Sequence, residues 1–379
     1  MSQGSRDAVG LLLLASLEAS SRGRAHVGTG DLLEVFARRG TPFLQPLGVD
    51  PAEILATRSG RTSESRQGLG AGEDDPAAVT EHELEVDALL REVEWRLRLK
   101  RNVPIGEPAI AFSGALKSAV RASLVCAESY GRRYVSLAHL LAGALQTPGC
   151  DAVRLMEGLG YRPERLLSDL PVELMKLEGR PISEAIVSLE RTGLLASPDK
   201  AGEPASWLLR VAAVLARRAK PIVQAMNRDA CRLAVRYGAA HVNQTHYVLA
   251  IFLLQRHLDA YGLRFVDSWA ARNDAGDVLR RAGVAEQSLV KSVAQTRVDE
   301  AAEHLKRAGR VWRRTSPPYG QSVVAATARA ERHAARLRQP YTGTQHLLVG
   351  LIKEGGAGVQ MLQALNVDTG RLLEALEEV

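Results

Sequence analysis

Apolar residues recur at helical spacing in four Ala-rich stretches, residues 8–20, 116–130, 223–237 and 323–337. Each leads, through a short link, into a seven-residue motif. The motifs read V-G-T-G-D-L-L at 27–33, V-S-L-A-H-L-L at 135–141, V-N-Q-T-H-Y-V at 242–248 and T-G-T-Q-H-L-L at 342–348. A second apolar run follows, then an L-x-x-L-G-V-like helix end at 44–49, 156–161, 279–284 and 362–367. The pattern is a helical repeat in four diverged copies.

The first helix of a copy is expected to stop near a Gly or basic residue, such as Gly23, Gly131 or Gly238. Thr29, Ser136, Asn243 and Thr344 are the expected N-caps of the next helix, because their side-chain oxygens can accept from its free N–H groups. Gly48, Gly160, Gly283 and Asn366 tolerate the positive φ that ends a helix. One copy amounts to about four short helices, too few to bury its own apolar faces. Pairing the copies predicts an all-α protein of two double-repeat domains.

Spacing shows where copies were stretched. The motif start and the L-G end lie at 27 and 47, 135 and 159, and 342 and 365, but at 242 and 282 in the third copy. An insertion, read as an added helix, is therefore expected near 255–272, where Tyr261, Phe265 and Trp269 fall. Residues 59–80 are Gly-, Ser- and acid-rich and read as a flexible insertion, and 81–101 as an extra charged helix. The expected domains are 1–172 and 206–379, with 173–205 as the linker.

Composition narrows the class. Hydrophobic residues make up 46% and aromatics 4%, so the apolar content is mostly Leu, Ala and Val, which favours helices. No apolar run reaches about 18 residues, so no membrane span is expected. The apolar stretch 9–14 lacks a basic flank and a small-residue cleavage site and reads as a mature helix. Cys126, Cys150 and Cys231 are far apart and odd in number, which fits a reducing cytoplasm without disulfides or zinc. The net charge of +6 admits a second reading, an Arg-rich helical regulator that binds nucleic acid. The densest basic stretches, 217–220 and 306–314, do not alternate with aromatics, which favours solvated helix faces instead.

Catalytic constellations are missing. The sequence has no H-E-x-x-H and no G-x-S-x-G, and no Lys directly follows a Gly, so the phosphate-cradling G-x-x-x-x-G-K-S/T is absent. His139, His246 and His346 recur at one motif position; a hydrogen-bonded structural role is expected there, with ligand binding as the alternative. No catalytic residue, cofactor or metal is assigned.

The repeat resembles the N-terminal domain of Clp/Hsp100 unfoldases, especially the ClpC type, two tandem repeats with the signature I-G-T-E-H-I/L-L-L-G-L. The fourth copy, residues 344–351 followed by Lys353-Glu354-Gly355-Gly356, carries the likeness most fully; Gly28-Thr29 and Leu47-Gly48-Val49-Asp50 carry it in the first. The arrangement is similar to stand-alone actinobacterial proteins with duplicated Clp N-domains and no ATPase module. The resemblance implies two Clp N-like domains that bind Clp unfoldase or protease components, or their clients, in the cytoplasm.

In the family, the Glu of G-T-E-H helps bind phosphorylated arginine. Gly30, Ala138, Thr245 and Gln345 stand there in this chain, so the carboxylate is lost in all four copies and phosphoarginine recognition is not expected. The family also binds cyclic-peptide antibiotics around P-F-T-x-x-A-K at the first helix of the second repeat. Phe112, Ser113 and Lys117 match its Phe, Thr and Lys positions, and Tyr319 takes the aromatic place in the fourth copy, where Val324 replaces the Lys. Gly4 and Ala219 occupy the aromatic place in the first and third copies. Phe112 also suits a hydrophobic staple, and the two roles are compatible. The resemblance thus implies cyclic-peptide natural products as possible ligands and sequestration of such antibiotics as a possible task.

Overall fold

The computed structural model describes residues 4–39, 44–60, 81–103, 110–177, 179, 181, 183–196, 220–295 and 316–378. Residues 61–80 of the expected insertion, 197–205 of the expected linker, Arg217, Arg218, Ala219 and the basic stretch 306–314 lie outside them. The chain divides into two compact units, Met1–Ile182 and Ser183–Val379.

The first unit runs α1 (Arg6–Ser21), β1 (His26–Val27), α2 (Thr29–Arg38), a 3-10 turn (Gln45–Leu47), α3 (Pro51–Gly60), α4 (Glu81–Arg101), β2 (Ala111–Phe112), α5 (Gly114–Ser129), α6 (Leu137–Gln146), α7 (Asp151–Gly158), α8 (Pro163–Asp169) and α9 (Val172–Met175). The second runs α10 (Glu184–Arg191), β3 (Leu195–Ala196), α11 (Pro221–Arg236), α12 (Gln244–Tyr261), β4 (Arg264–Phe265), α13 (Asp267–Ala270), α14 (Ala275–Arg281), α15 (Glu286–Gln295), α16 (Gln321–Arg336), α17 (Thr344–Glu354), α18 (Ala357–Ala364) and α19 (Thr369–Glu377). The described part of the protein is all-α apart from these two-residue strands.

The four leading helices, α1, α5, α11 and α16, are each 16 residues long. The same stop ends all four. Gly23, Gly131 and Gly238 take φ of 67°, 66° and 66°, and Arg338 does the same work at 52°. The extended link then meets the start of the next copy within each unit. In the first unit β1 pairs in parallel with β2, with Val27 beside Phe112. In the second, Val242 forms a parallel bridge to Tyr319, and the Gly320 N–H donates to Val242 O at 2.8 Å.

The motif helices α2, α6, α12 and α17 begin one residue earlier than the sequence reading places them in the first and fourth copies. The N-caps are Gly28, Ser136, Asn243 and Gly343. Ser136 and Asn243 cap with their side chains as expected. A glycine cap has no side chain, so the residue three further on carries the local interaction. Asp31, His139, His246 and His346 accept the N-cap N–H at 2.9, 2.9, 3.1 and 3.0 Å. Thr29 and Thr344, displaced into the first turn, instead cap a helix of the neighbouring copy. Their Oγ1 atoms accept from Ala152 N (3.2 Å) and Ala275 N (3.4 Å), and Gln244 Oε1 accepts from Gly358 N (3.1 Å). These bonds cross between the two copies of a unit.

Gly48, Gly160 and Gly283 take φ of 67°, 83° and 86°, and Asn366 takes 60°, the four stops read from sequence. Two other glycines set helix spacing. A Cβ on Gly143 would lie 2.3 Å from Ala119 O on α5, and one on Gly350 would lie 2.4 Å from Ala326 O on α16. Only hydrogen at these positions lets α6 close on α5 and α17 on α16.

Two expectations about the inserts are refined. The added helix near 255–272 is the four-residue α13, and the rest of the insertion is not a separate helix. Leu253, Leu254 and Leu258 keep α12 in the core, so it runs on until Gly262 stops it at φ 61°. After it, β4 pairs antiparallel with β3, and α13 buries Trp269, whose ring stacks on Tyr341 at 3.9 Å. Nor is 173–205 wholly a linker. Met175 of α9 is buried in the first unit, and α10 packs on α11 in the second. The cause is its apolar face of Ala185, Ile186 and Leu189 and its N-terminus bound to buried Asp229. Ser183 Oγ and the Glu184 N–H each donate to that carboxylate at 3.0 Å.

Candidate functional site

The fourth motif position is closed in every copy. Gly30, Ala138, Thr245 and Gln345 are all buried. Beside Gly30 a Cβ would lie 2.9 Å from the guanidinium carbon of Arg58, which itself pairs with Asp31 at 3.1 Å. Arg24 also pairs with Asp31, and Arg22 and Arg38 pair with Glu34. Burial would raise the Glu34 carboxyl, but its bonds to Arg22 and Arg38 outweigh that and hold it below the usual range. The Thr245 hydroxyl donates to Asn243 Oδ1 at 2.7 Å. Gln345 donates to Asp274 and accepts from Arg272 at 3.4 Å. Each polar group at this position is thus used inside the fold.

The recurrent histidines sit one residue further on and act as N-terminal capping groups. The ring Nδ1 must be unprotonated to accept the N-cap N–H, and in His139 Nε2 donates to Met175 O at 2.9 Å. Burial lowers all three, His246 to about 3 and His346 to about 4. A neutral imidazole is the form this geometry needs.

The leading aromatic positions are open by comparison. Phe112 is half-buried against the first unit's core, and Lys117, one turn into α5, is exposed. Ser113 between them is buried, and its Oγ caps α5 by accepting from Leu116 N at 3.1 Å. Tyr319 is 41% exposed and its hydroxyl donates to Asn227 O at 3.2 Å. Val324, in the place of Lys117, is 59% exposed. Gly4, at the aromatic place of the first copy, is covered: a Cβ there would lie 2.4 Å from Leu89 of α4. Phe112 and Lys117 both keep accessible surface in the first unit, and Tyr319 holds the place matching Phe112 in the second.

Among the described residues no cluster of three His, Cys, Asp or Glu could hold a metal ion. Cys126, Cys150 and Cys231 are free and buried, and burial pushes the Cys231 thiol up to about 11. The sequence reading did not single out Arg58 or Asp229. A lone arginine in a helix carries no signal of its carboxylate partners. Asp229 lies mid-helix in α11, where a buried carboxylate is rare, and that was the available cue.

Residues 270–365 match the family model described as the Clp repeat (R) N-terminal domain. The matched span covers α14 to α18 and includes the fourth motif with its Gln345-His346-Leu347-Leu348 start and the close-packed Gly350. No curated protein matches the chain. The matched domain is a non-catalytic interaction domain. Among the described residues no helix is long and apolar enough to cross a membrane. The chain therefore carries a Clp repeat N-terminal domain in its second unit.

Proposed function

We propose that this chain is a non-catalytic binding protein of the Clp system, built from two Clp N-like double repeats, one in each compact unit, Met1–Ile182 and Ser183–Val379. Its ligands are Clp protease components, their clients, or cyclic-peptide antibiotics directed at ClpC, and in the last case it acts by sequestration in the cytoplasm. The observation that supports it is a contrast. The four positions where the family reads phosphoarginine are buried, and the two with polar side chains, Thr245 and Gln345, are bonded within the fold, whereas Phe112, Lys117 and Tyr319 keep accessible surface. A surface that has closed the first site and kept the second suits capture of an apolar cyclic peptide better than reading of a modified client. The recurrence of one helix length, one link and one set of stops in all four copies supports extending the family likeness beyond residues 270–365.

Calorimetric titration tests the proposal. Saturable binding of a ClpC-directed cyclic peptide is expected, weakened by Phe112→Ala, with no saturable binding of free phosphoarginine. A Phe112→Ala chain that binds the peptide like the parent would refute the site. Tight phosphoarginine binding would refute the contrast. Retention of DNA in a salt-sensitive manner, with neither Clp subunits nor peptide bound, would replace the proposal with the nucleic-acid reading.

A further inference from the structure

The leading helices α1, α5, α11 and α16 start from the N-caps Ser5, Ser113, Lys220 and Gly320 and have equal length, so their residues correspond one to one. One stripe separates them. On α11 it comprises Ile222, Ala225, Asp229 and Arg232, and all four are buried, Arg232 at 4% exposure. The chain's own α10 docks there. Asp229 holds its N-terminus, Arg228 donates to Ser188 Oγ at 3.4 Å, and Ala185, Ile186 and Leu189 turn inward at 0% exposure.

The matching stripe on α5 comprises Ala115, Ser118, Ala122 and Val125. The first three are half-buried and Val125 is 49% exposed, so among the described residues this stripe is left more open than its counterpart on α11. Its side chains are small, which lets a second helix backbone approach closely. The far end opens into a cleft of about 340 Å³ lined by Val125, Cys126, Tyr130, Leu167 and Met175.

We infer that the α5 stripe is a docking site for a short amphipathic helix of a partner protein, with an apolar face like that of α10. Two observations support it. The equivalent surface in the third copy already holds such a helix. The cleft provides a pocket for one larger apolar side chain. The corresponding stripe on α16, Ser322, Ala325, Arg329 and Arg332, is more polar and basic and is not assigned this role. The inference concerns a different face of α5 from the Phe112 surface and stands without the proposed antibiotic binding.

The probe is a fluorescein-labelled synthetic peptide of residues 183–194, titrated with the full chain. Saturable binding with Kd below about 1 mM is expected, weakened at least about tenfold by Val125→Arg and by Ala122→Arg. Phe112→Ala should leave it unchanged, and the circular dichroism spectra of all variants should match the parent. Absence of saturation, or equal binding by the parent and Val125→Arg, overturns the inference. A parent chain that is dimeric by light scattering and becomes monomeric with Val125→Arg also overturns it, since the occupant would then be a second copy of this chain.

Discussion

The close approach of α6 to α5 makes a sign prediction from one kind of substitution. Gly143→Ala places a methyl group 2.3 Å from Ala119 O and 2.2 Å from Ser123 Oγ, where ordinary contacts begin near 3.4 Å. Ser123 Oγ already donates to Ala119 O at 2.7 Å, so it cannot swing away without losing that bond. The helices must separate by about 1 Å along much of their contact, an overpacking cost of about 1–3 kcal/mol. Alanine gains about 1 kcal/mol over glycine in a helix interior, which offsets part of this. A net loss of about 0–2 kcal/mol is expected. Gly10→Ala in α1 is the control within the same unit: nothing lies within 4 Å of its Cβ. There only the propensity acts, and a gain of about 0.5–1 kcal/mol is expected. Urea denaturation followed by circular dichroism, with hydrogen exchange of α1, α5 and α6 amides as the unit-specific readout, measures both. Equal stability of the two variants, or Gly143→Ala above the parent, would refute the reasoning.

Two further outcomes follow from the capping groups and from Asp229. An unfolded-state histidine titrates near 6.5, while burial holds His246 near 3 and His346 near 4. Their contribution is therefore fully present above about pH 6.5 and is lost as pH falls toward those folded values, at up to about 1.4 kcal/mol per pH unit for each histidine. The second unit, with two such groups to the first unit's one, should lose urea resistance more steeply between pH 6.5 and 5; His346→Asn, which keeps an acceptor for Gly343 N, should reduce the slope, and a pH-independent midpoint would contradict the mechanism. Asp229→Ala removes the carboxylate that pairs with the buried Arg232 guanidinium and accepts from Ser183 Oγ and Glu184 N, at a cost of about 3–5 kcal/mol, and should expose α10 to limited proteolysis; unchanged protection of α10 would show that its apolar face suffices.

Local physics was legible without the fold. Four Ala-rich helices, four motifs and four positive-φ stops follow from periodicity and from the few residue types that tolerate a left-handed backbone, and Gly48, Gly160, Gly283 and Asn366 take that conformation. The class of the fold followed as well, because a repeat with too little apolar face to stand alone must pair. Tertiary contacts decided the rest. Whether Thr29 caps its own helix or Ala152 of the next copy depends on a one-residue shift that only the packed pair fixes. How much of 255–272 lengthens an old helix and how much makes the new α13 depends on core leucines finding partners. Arg58 beside Gly30, Leu89 over Gly4 and α10 along α11 join residues far apart in the chain, and a sequence pattern carries no distance between them. Which faces are closed and which remain open for binding was therefore set by chain-distant packing, while the repeated motif determined where those faces begin.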